Sequence, residues 1–397
     1  MRRLSLVLAT ACLYFSGSTA AIAAPCIGLV LGGGGARGAA HIGVLKVLER
    51  ERVPICRIAG TSMGSIVGGL YASGYSPEEI EQVLNAVDWR DVLNDDPSRT
   101  DFPMRRKNDT LRYLMNVRVG LRDGAIQLPR GVIQGQKLLL LLRRLTIHTW
   151  RIDNFDALPI PFRAVATDIV SGKQVLFSKG DLGLAIRASM SVPAAFAPIR
   201  VDGRMLVDGG IVNNVPVDVV QAMGADRLIV VDVGAPLASD SELNSPFAVT
   251  MQMLDVLMKQ RTELVLEKMS PHDVKILPQL GDIGSADFIR SASAIPLGAQ
   301  AAELHLPRLR ELSVSEAEYQ RYLERHRRAT FDSPMVSFVH VLRTRSKTAG
   351  YVERELEDLE GQTLDIDKLE KSIGGAFGLG NYERIAWRPV EKDGKTG

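Results

Sequence analysis

From residue 27 to beyond the middle of the chain, the sequence predicts an α/β fold with a largely parallel central sheet. One sign is a set of short, unbroken apolar runs, residues 27–31, 56–59, 162–166 and 228–233, which read as strands buried on both faces. A second is the 3.6-residue spacing of Ile42, Val44, Leu45 and Leu48 right after the first run, which makes residues 39–50 a helix. The third is that glycines mark the passage from strand to helix after each of the first two runs, an alternation that favours parallel strands with helical crossovers. Composition agrees: 397 residues with 46% hydrophobic and 24% charged residues, 36 Gly and 3 Cys exclude disorder, collagen and disulfide-dense scaffolds. Basic and acidic residues number 48 and 46, a net charge of +2, so no overall field exists to gather nucleic acid, and none is expected as a partner.

Arg2 and Arg3 precede an apolar run, residues 4–15, and then small residues through Ala24, the order of a secretory signal. Cleavage after Ala23 places small residues at Ala21 and Ala23; a lipoprotein reading through Cys12 meets Ala9 where Leu is wanted. Residues 1–23 are therefore read as a signal peptide and the chain as exported, to the outer membrane, the cell surface or the medium. No later stretch is apolar over the roughly 20 residues a spanning helix needs. Cys26 and Cys56 precede neighbouring strands, and a disulfide and two buried thiols stand as alternatives. A helix is expected from Ser65 to Tyr71, and Ser76-Pro77-Glu78-Glu79 opens another. Residues 88–130 carry Arg105, Arg106, Lys107, Arg112, Arg118, Arg122 and Arg130, read as a solvated surface in preference to a headgroup-binding face. Residues 138–142 read as a buried helix, and 245–269 and 297–328 as further helices. After Ser333-Pro334 a βααβ unit is expected, with strands at 336–342 and 382–390 and helices at 352–359 and 365–373. Residues 392–395 read as a hairpin turn whose returning strand is missing, which marks the chain as an excerpt of a longer one.

Two glycine-bounded turns and one acidic turn carry the chemistry. Gly60-Thr61-Ser62-Met63-Gly64 fits G-x-S-x-G between strand and helix, where small flanking residues permit a sharp turn that presents the Ser62 hydroxyl; a plain helix cap is the competing reading. The run from Gly32 to Gly38 lets backbone N–H groups converge on an anion. Gly33, Gly35 and Gly38 also satisfy a dinucleotide fingerprint, but the second strand ends in Gly60-Thr61-Ser62 and not in the acidic residue such a site needs. A nucleophilic serine requires a base. Asp208, beside Gly209 and Gly210 after the apolar Met205-Leu206-Val207, is one candidate; a triad with His272, His305 or His340 is the other, and His41 is read as a packing residue.

These residues resemble a known family. Gly33 to Gly38, Gly60 to Gly64 and Asp208 to Gly210 are similar, in order, to the three signatures of patatin-like phospholipases, and residues 189–193 and 213–216 resemble the segments that flank them. The resemblance implies a three-layer α/β/α domain over residues 27–225 and a Ser-Asp dyad with Ser62 as nucleophile and Asp208 as proton acceptor. The Gly34, Gly35 and Ala36 amides would bind the oxyanion, with Gly33, Arg37, Gly38, Gly60, Gly64, Gly209 and Gly210 as motif support and Arg37 orienting the loop. Expected substrates are phospholipids or other lipid esters at a membrane surface, with no metal or cofactor. Residues 226–333 would complete or link that domain. Residues 334–397 resemble a POTRA domain, on Val336 to Val341, Gly361 and the segment 380–385. Together the parts resemble the N-terminal region of patatin-like autotransporters, which implies an outer-membrane β-barrel in a longer form. The alternative function is a noncatalytic secretion or adhesion module.

Overall fold

The computed structural model describes residues 25–94, 120–122, 125–127, 133–193, 195–342, 349–378, 382 and 384–397. The expected signal peptide and most of the basic stretch, including Arg105, Arg106, Lys107, Arg112, Arg118 and Arg130, lie outside the described residues.

The strands are β1 (Ile27–Leu31), β2 (Ile55–Thr61), β3 (Gly120–Arg122), β4 (Ala125–Gln127), β5 (Phe162–Asp168), β6 (Lys173–Phe177), β7 (Ile199–Val201), β8 (Arg204–Asp208), β9 (Arg227–Val231) and β10 (Val274–Ile276). Eight of them form one sheet in the order β10-β9-β1-β2-β5-β8-β7, with β6 also on β5, while β3 and β4 make a separate hairpin. Pairing is parallel from β10 through β5 and antiparallel among β5, β6, β7 and β8. The helices are α1 (Ala40–Arg50), α2 (Met63–Ala72), α3 (Pro77–Ala86), α4 (Trp89–Val92), α5 (Gln136–Thr146), α6 (Leu182–Ser189), α7 (Gly210–Asn213) and α8 (Val217–Ala222). They continue as α9 (Pro246–Glu267), α10 (Ala294–Glu303), α11 (Leu306–Arg310), α12 (Glu316–His326), α13 (Ala349–Glu357) and α14 (Ile366–Gly378).

Both faces of the sheet are covered, which explains why its strands read as continuous apolar runs. Along β1, Ile27, Leu29 and Leu31 join the larger core with α1 and α2, whereas Val30 joins Val219 and Val220 of α8 on the opposite face. The alternation repeats in β9, with Ile229 and Val231 on one side and Leu228 and Val230 on the other. Each such side chain contributes about 1.5–3 kcal/mol by burial. Helix α3 begins where the sequence placed it, with a Ser76–Glu79 capping box and Pro77 in the first turn. Cys26 and Cys56, at the starts of β1 and β2, are joined by a disulfide.

The register of β5 decides where the ends of β2 and β8 lie. Its Ala164–Asp168 pairs with β6 along one edge. The other edge is shared: β2 occupies residues 162–165, ending with Thr61 opposite Val165, and β8 occupies 166–168, with Asp208 opposite Ala166. One strand runs parallel and the other antiparallel to β5, so they meet head-on at their C-terminal ends, and Ser62 is brought to Asp208.

Several sequence expectations are corrected. Residues 297–328 are three helices and not one, broken at Pro307 in the first turn of α11 and at the Ser315–Glu318 capping box of α12. In the C-terminal unit the two helices are present as α13 and α14, but residues 336–342 and the described residues of 382–390 form no strand. Val336 instead exchanges single hydrogen bonds with Gln362 and Gly361, and Ser337 donates to Thr396, which satisfies backbone groups without a ladder. The returning strand is also present: Glu391–Lys392 pairs with Lys395–Thr396 across the expected turn.

Candidate active site

Ser62 sits between the last residue of β2 and the first of α2 with φ 53° and ψ −123°. A left-handed φ at a non-glycine residue is strained by about 1–3 kcal/mol and persists only where its surroundings enforce it. Here they do. A β-carbon on Gly60 would lie 2.3 Å from the Gly64 carbonyl oxygen, and one on Gly64 would lie 2.2 Å from that of Leu31, so neither position admits a side chain. The Ser62 N–H donates to Ser189 Oγ at 2.9 Å, and Ser65 N–H donates to the Ser62 carbonyl at 2.9 Å.

Asp208 is buried at the end of β8. Its Oδ1 accepts from the Gly210 N–H at 2.8 Å. Its Oδ2 has no hydrogen bond of normal geometry. Burial pushes the carboxyl up to about 6, and the neighbouring Ser62 hydroxyl and Gly210 amide pull in the opposite direction. A carboxylate with that affinity for a proton is a far better base than one in water.

Residues 189–191 bracket both groups. Ser189 Oγ holds the Ser62 amide, the Ser191 carbonyl accepts from Asp208 N–H at 2.9 Å, and the Ser189 carbonyl accepts from Gly209 N–H at 3.4 Å. Arg187, buried under Phe196, donates to Ser191 Oγ at 2.7 Å and to the Gln134 carbonyl at 2.9 Å. In the sequence, Ser189 to Pro193 stand out only as a flanking segment, without a sign of these roles. A serine at the C-terminal end of a helix carries no distinctive local signal.

The glycine loop lies beside Ser62, since a β-carbon on Gly33 would fall 3.1 Å from Ser62 Cβ. Gly33 is tied at both polar groups to Asn214, whose backbone carbonyl accepts at 3.2 Å and whose Nδ2 donates to the Gly33 carbonyl at 3.3 Å. Arg37 is buried and donates to the carbonyls of Val233 at 3.0 Å, Ile283 at 2.7 Å and Gly234 at 3.2 Å, a staple across three segments. His41, fully buried, bonds the Gly32 carbonyl through Nε2 at 2.8 Å, and burial lowers its pKa to about 4, so it serves the loop as a neutral anchor. Gly38 is covered by Met63, whose Cγ would lie 2.4 Å from an added β-carbon.

The structure departs from the three-amide expectation. The Ala36 N–H is committed to the Ser285 carbonyl at 2.9 Å, because the turn around Ser285 packs directly on Gly35, where φ is 57° and a β-carbon would meet that same oxygen at 2.1 Å. The amides of Gly34 and Gly35 form no hydrogen bond among the described residues. The histidine triad is not assembled: His272 and His340 are exposed, His305 is half-buried, and none bonds Asp208 or Ser62. Met258 of α9 approaches Gly210, a neighbour that the sequence did not indicate. Among the described residues no cluster of ligating side chains is arranged to hold a metal ion, and no helix is long and apolar enough to cross a membrane.

Comparison with known proteins covers the part of the chain that holds these residues. Positions 29–220 match the family model described as patatin-like phospholipase. An uncharacterized NTE family protein of Mycobacterium tuberculosis is 35% identical over 60% of this chain and 58% of its own length. Human patatin-like phospholipase domain-containing protein 6 is 32% identical over 54% of this chain and 14% of its own. A lysophospholipase of Saccharomyces cerevisiae is 29% identical over 68% of this chain and 14% of its own. The chain thus spans little more than half the length of the mycobacterial relative and a small part of the other two.

Proposed function

We propose that the protein is a serine acyl hydrolase of the patatin-like phospholipase kind that cleaves lipid esters, with phospholipids as the leading substrate class, by a Ser62–Asp208 dyad; the match of residues 29–220 to that family model supports the reading. The observation that carries the proposal is the head-on meeting of β2 and β8 on one edge of β5, which sets a strained serine against a buried carboxylate. Ionised Asp208 accepts the proton as Ser62 Oγ attacks the ester carbonyl, and the Gly34 and Gly35 amides face the charge that develops on the carbonyl oxygen. Collapse expels the alcohol or lysolipid, which takes the proton back, and water then releases the acid from the acyl-serine by the reverse use of Asp208.

Export is proposed on the order of charged, apolar and small residues in positions 1–23, and the Cys26–Cys56 disulfide supports an oxidising compartment. We likewise propose, on motif resemblance, that residues 334–397 are related to a POTRA domain and serve an outer-membrane barrel.

The test is mass spectrometry of products from mixed phospholipid vesicles. Wild type should release fatty acid, whereas Ser62→Ala and Asp208→Asn should each fall by at least about a thousandfold in kcat. Unchanged release by Ser62→Ala overturns the proposal and leaves a noncatalytic module.

A further inference from the structure

Apolar side chains left in solvent gather at one end of the sheet. Strands β9, β1 and β2 finish together there, with Val231 opposite Leu31 and Leu31 opposite Gly60, and the same end carries Ser62 and Asp208. Strand β5 runs on past the junction. Beyond Ala166, which lies opposite Asp208, the turn between β5 and β6 exposes Ile169 and leaves Val170 79% in solvent. At the rise of an extended strand, Val170 stands about 13 Å past the dyad. Its turn is closed by Asp168, whose Oδ1 accepts from Val170 N–H at 3.1 Å, Oδ2 from Ser171 Oγ at 2.7 Å and carbonyl from Gly172 N–H at 2.8 Å. These bonds hold Val170 away from the body.

Helix α9 projects from the same end. Its Val265 and Leu266 pack on the layer of Val30, Val219 and Val230, and its Met258 reaches Gly210 beside Asp208. The turns before Met258, residues 246–257, therefore extend past the end of the sheet, by up to about 18 Å at helical rise. Val249, Met253 and Leu257, each four residues from the next, are exposed along one side of this overhang, Met253 by 62%. Composition changes where the helix leaves the body: residues 246–257 hold one charged side chain, Asp255, whereas 258–267 hold Lys259, Arg261, Glu263 and Glu267. Exposed Leu237 adjoins Ala238, which exchanges two hydrogen bonds with Gln252 of α9. Exposed Leu277 directly follows β10, whose Ile276 pairs with Val231.

Charge borders this apolar end. On the β5–β6 and β7–β8 hairpins Lys173, Arg200 and Arg204 are exposed, against one exposed carboxylate, Asp202. Single exposed apolar residues are ordinary on any protein. A set gathered around one site and edged by cations fits a lipid interface, which takes up apolar side chains and attracts basic ones through its anionic headgroups.

We propose that the Ser62 end of the molecule docks on an anionic lipid bilayer, with Val170 and the Val249–Met253–Leu257 stripe entering the interface around the dyad and Lys173, Arg200 and Arg204 meeting the headgroups. The choice of a bilayer rests on this charge complementarity and on the lipid-ester reading of Ser62. An acyl chain then passes from the bilayer to the dyad without crossing bulk water.

The full chain carrying Ser62→Ala, to prevent turnover, is floated with vesicles of phosphatidylcholine alone or mixed equally with phosphatidylglycerol. Binding should be at least about tenfold tighter on the mixed vesicles and should weaken as salt rises. Added to that parent, Val170→Asp and Met253→Asp alter exposed positions, so each should keep the parent's urea midpoint and weaken binding by about tenfold or more. Lys173→Gln/Arg204→Gln should reduce the preference for mixed vesicles. Because binding is read in a protein that does not turn over, it stands or falls apart from fatty-acid release by wild type, which tests the reading of Ser62. No binding to mixed vesicles, either Asp variant binding as the parent does, or a dimer in sedimentation that Met253→Asp dissociates with vesicle binding unaltered, overturns the proposal.

Discussion

Under the proposed mechanism, Asp208 couples activity to stability through one proton. Its carboxyl titrates at about 6 in the fold against 3.8 in the unfolded chain, because burial disfavours the charge. Below 3.8 both states hold the proton and folding is unaffected; between 3.8 and about 6 ionisation increasingly penalises the folded state; above 6 the penalty is complete, about 3 kcal/mol at most. Asp208→Asn keeps an acceptor for Gly210 and removes the charge. It should therefore be inactive yet more stable than wild type in urea unfolding at pH 7.5, with the difference vanishing near pH 4. Since only the ionised carboxylate accepts a proton, kcat/KM of wild type should fall about tenfold per pH unit below about 6. A rate that stays flat down to pH 5, or an Asn variant no more stable at pH 7.5, would contradict the buried-base assignment.

At the level of elements, the site is a junction of four segments, and the bracket at residues 189–191 fixes their spacing. Ser189→Ala strips the acceptor from the Ser62 amide in a fully buried position, leaving an unpaired donor that costs about 1–3 kcal/mol. The elbow should shift slightly, so kcat should drop about tenfold to a hundredfold with KM little changed. Equal losses in kcat and stability with a parallel rise in KM would instead mark Ser189 as ordinary core. This junction also shows what a sequence can disclose. The elbow was legible because a sharp strand-to-helix turn demands Gly60 and Gly64 at fixed offsets, and β1 and β9 were legible because burial on both faces writes an unbroken apolar run. Asp208 was legible only as a turn, since its meeting with Ser62 is a property of the β5 edge, spelled out by pairings more than 40 residues away. The half-exposed strands β6 and β7 alternate over too few residues to signal themselves. The Ser285 turn and Met258 reach the site by tertiary packing alone. Val336–Leu342 failed in the other direction: an apolar stretch with partial alternation had no partner strand to pair with, and packed as irregular backbone.

For the whole molecule, the Cys26–Cys56 bridge ties the starts of the two central strands at the end of the sheet opposite the Ser62–Asp208 junction. It closes a loop with a sequence separation of 30, and its Cα atoms lie 5.5 Å apart, where the parallel pairing of β1 and β2 already holds them. The bond therefore acts chiefly on the unfolded chain, whose loop-closure entropy it removes, a contribution of about 3.5 kcal/mol in the chain-entropy picture. Strand pairing and both hydrophobic layers persist without it, and the elbow at the far end of β2 is set by contacts with α2, Ser189 and the glycine loop. Reduction, or the Cys26→Ser/Cys56→Ser double variant, should then lower the urea midpoint and Tm while leaving kcat/KM at 25 °C within about twofold of wild type. Loss of activity without loss of global stability would mean instead that the bridge transmits its constraint along β1 and β2 to Ser62.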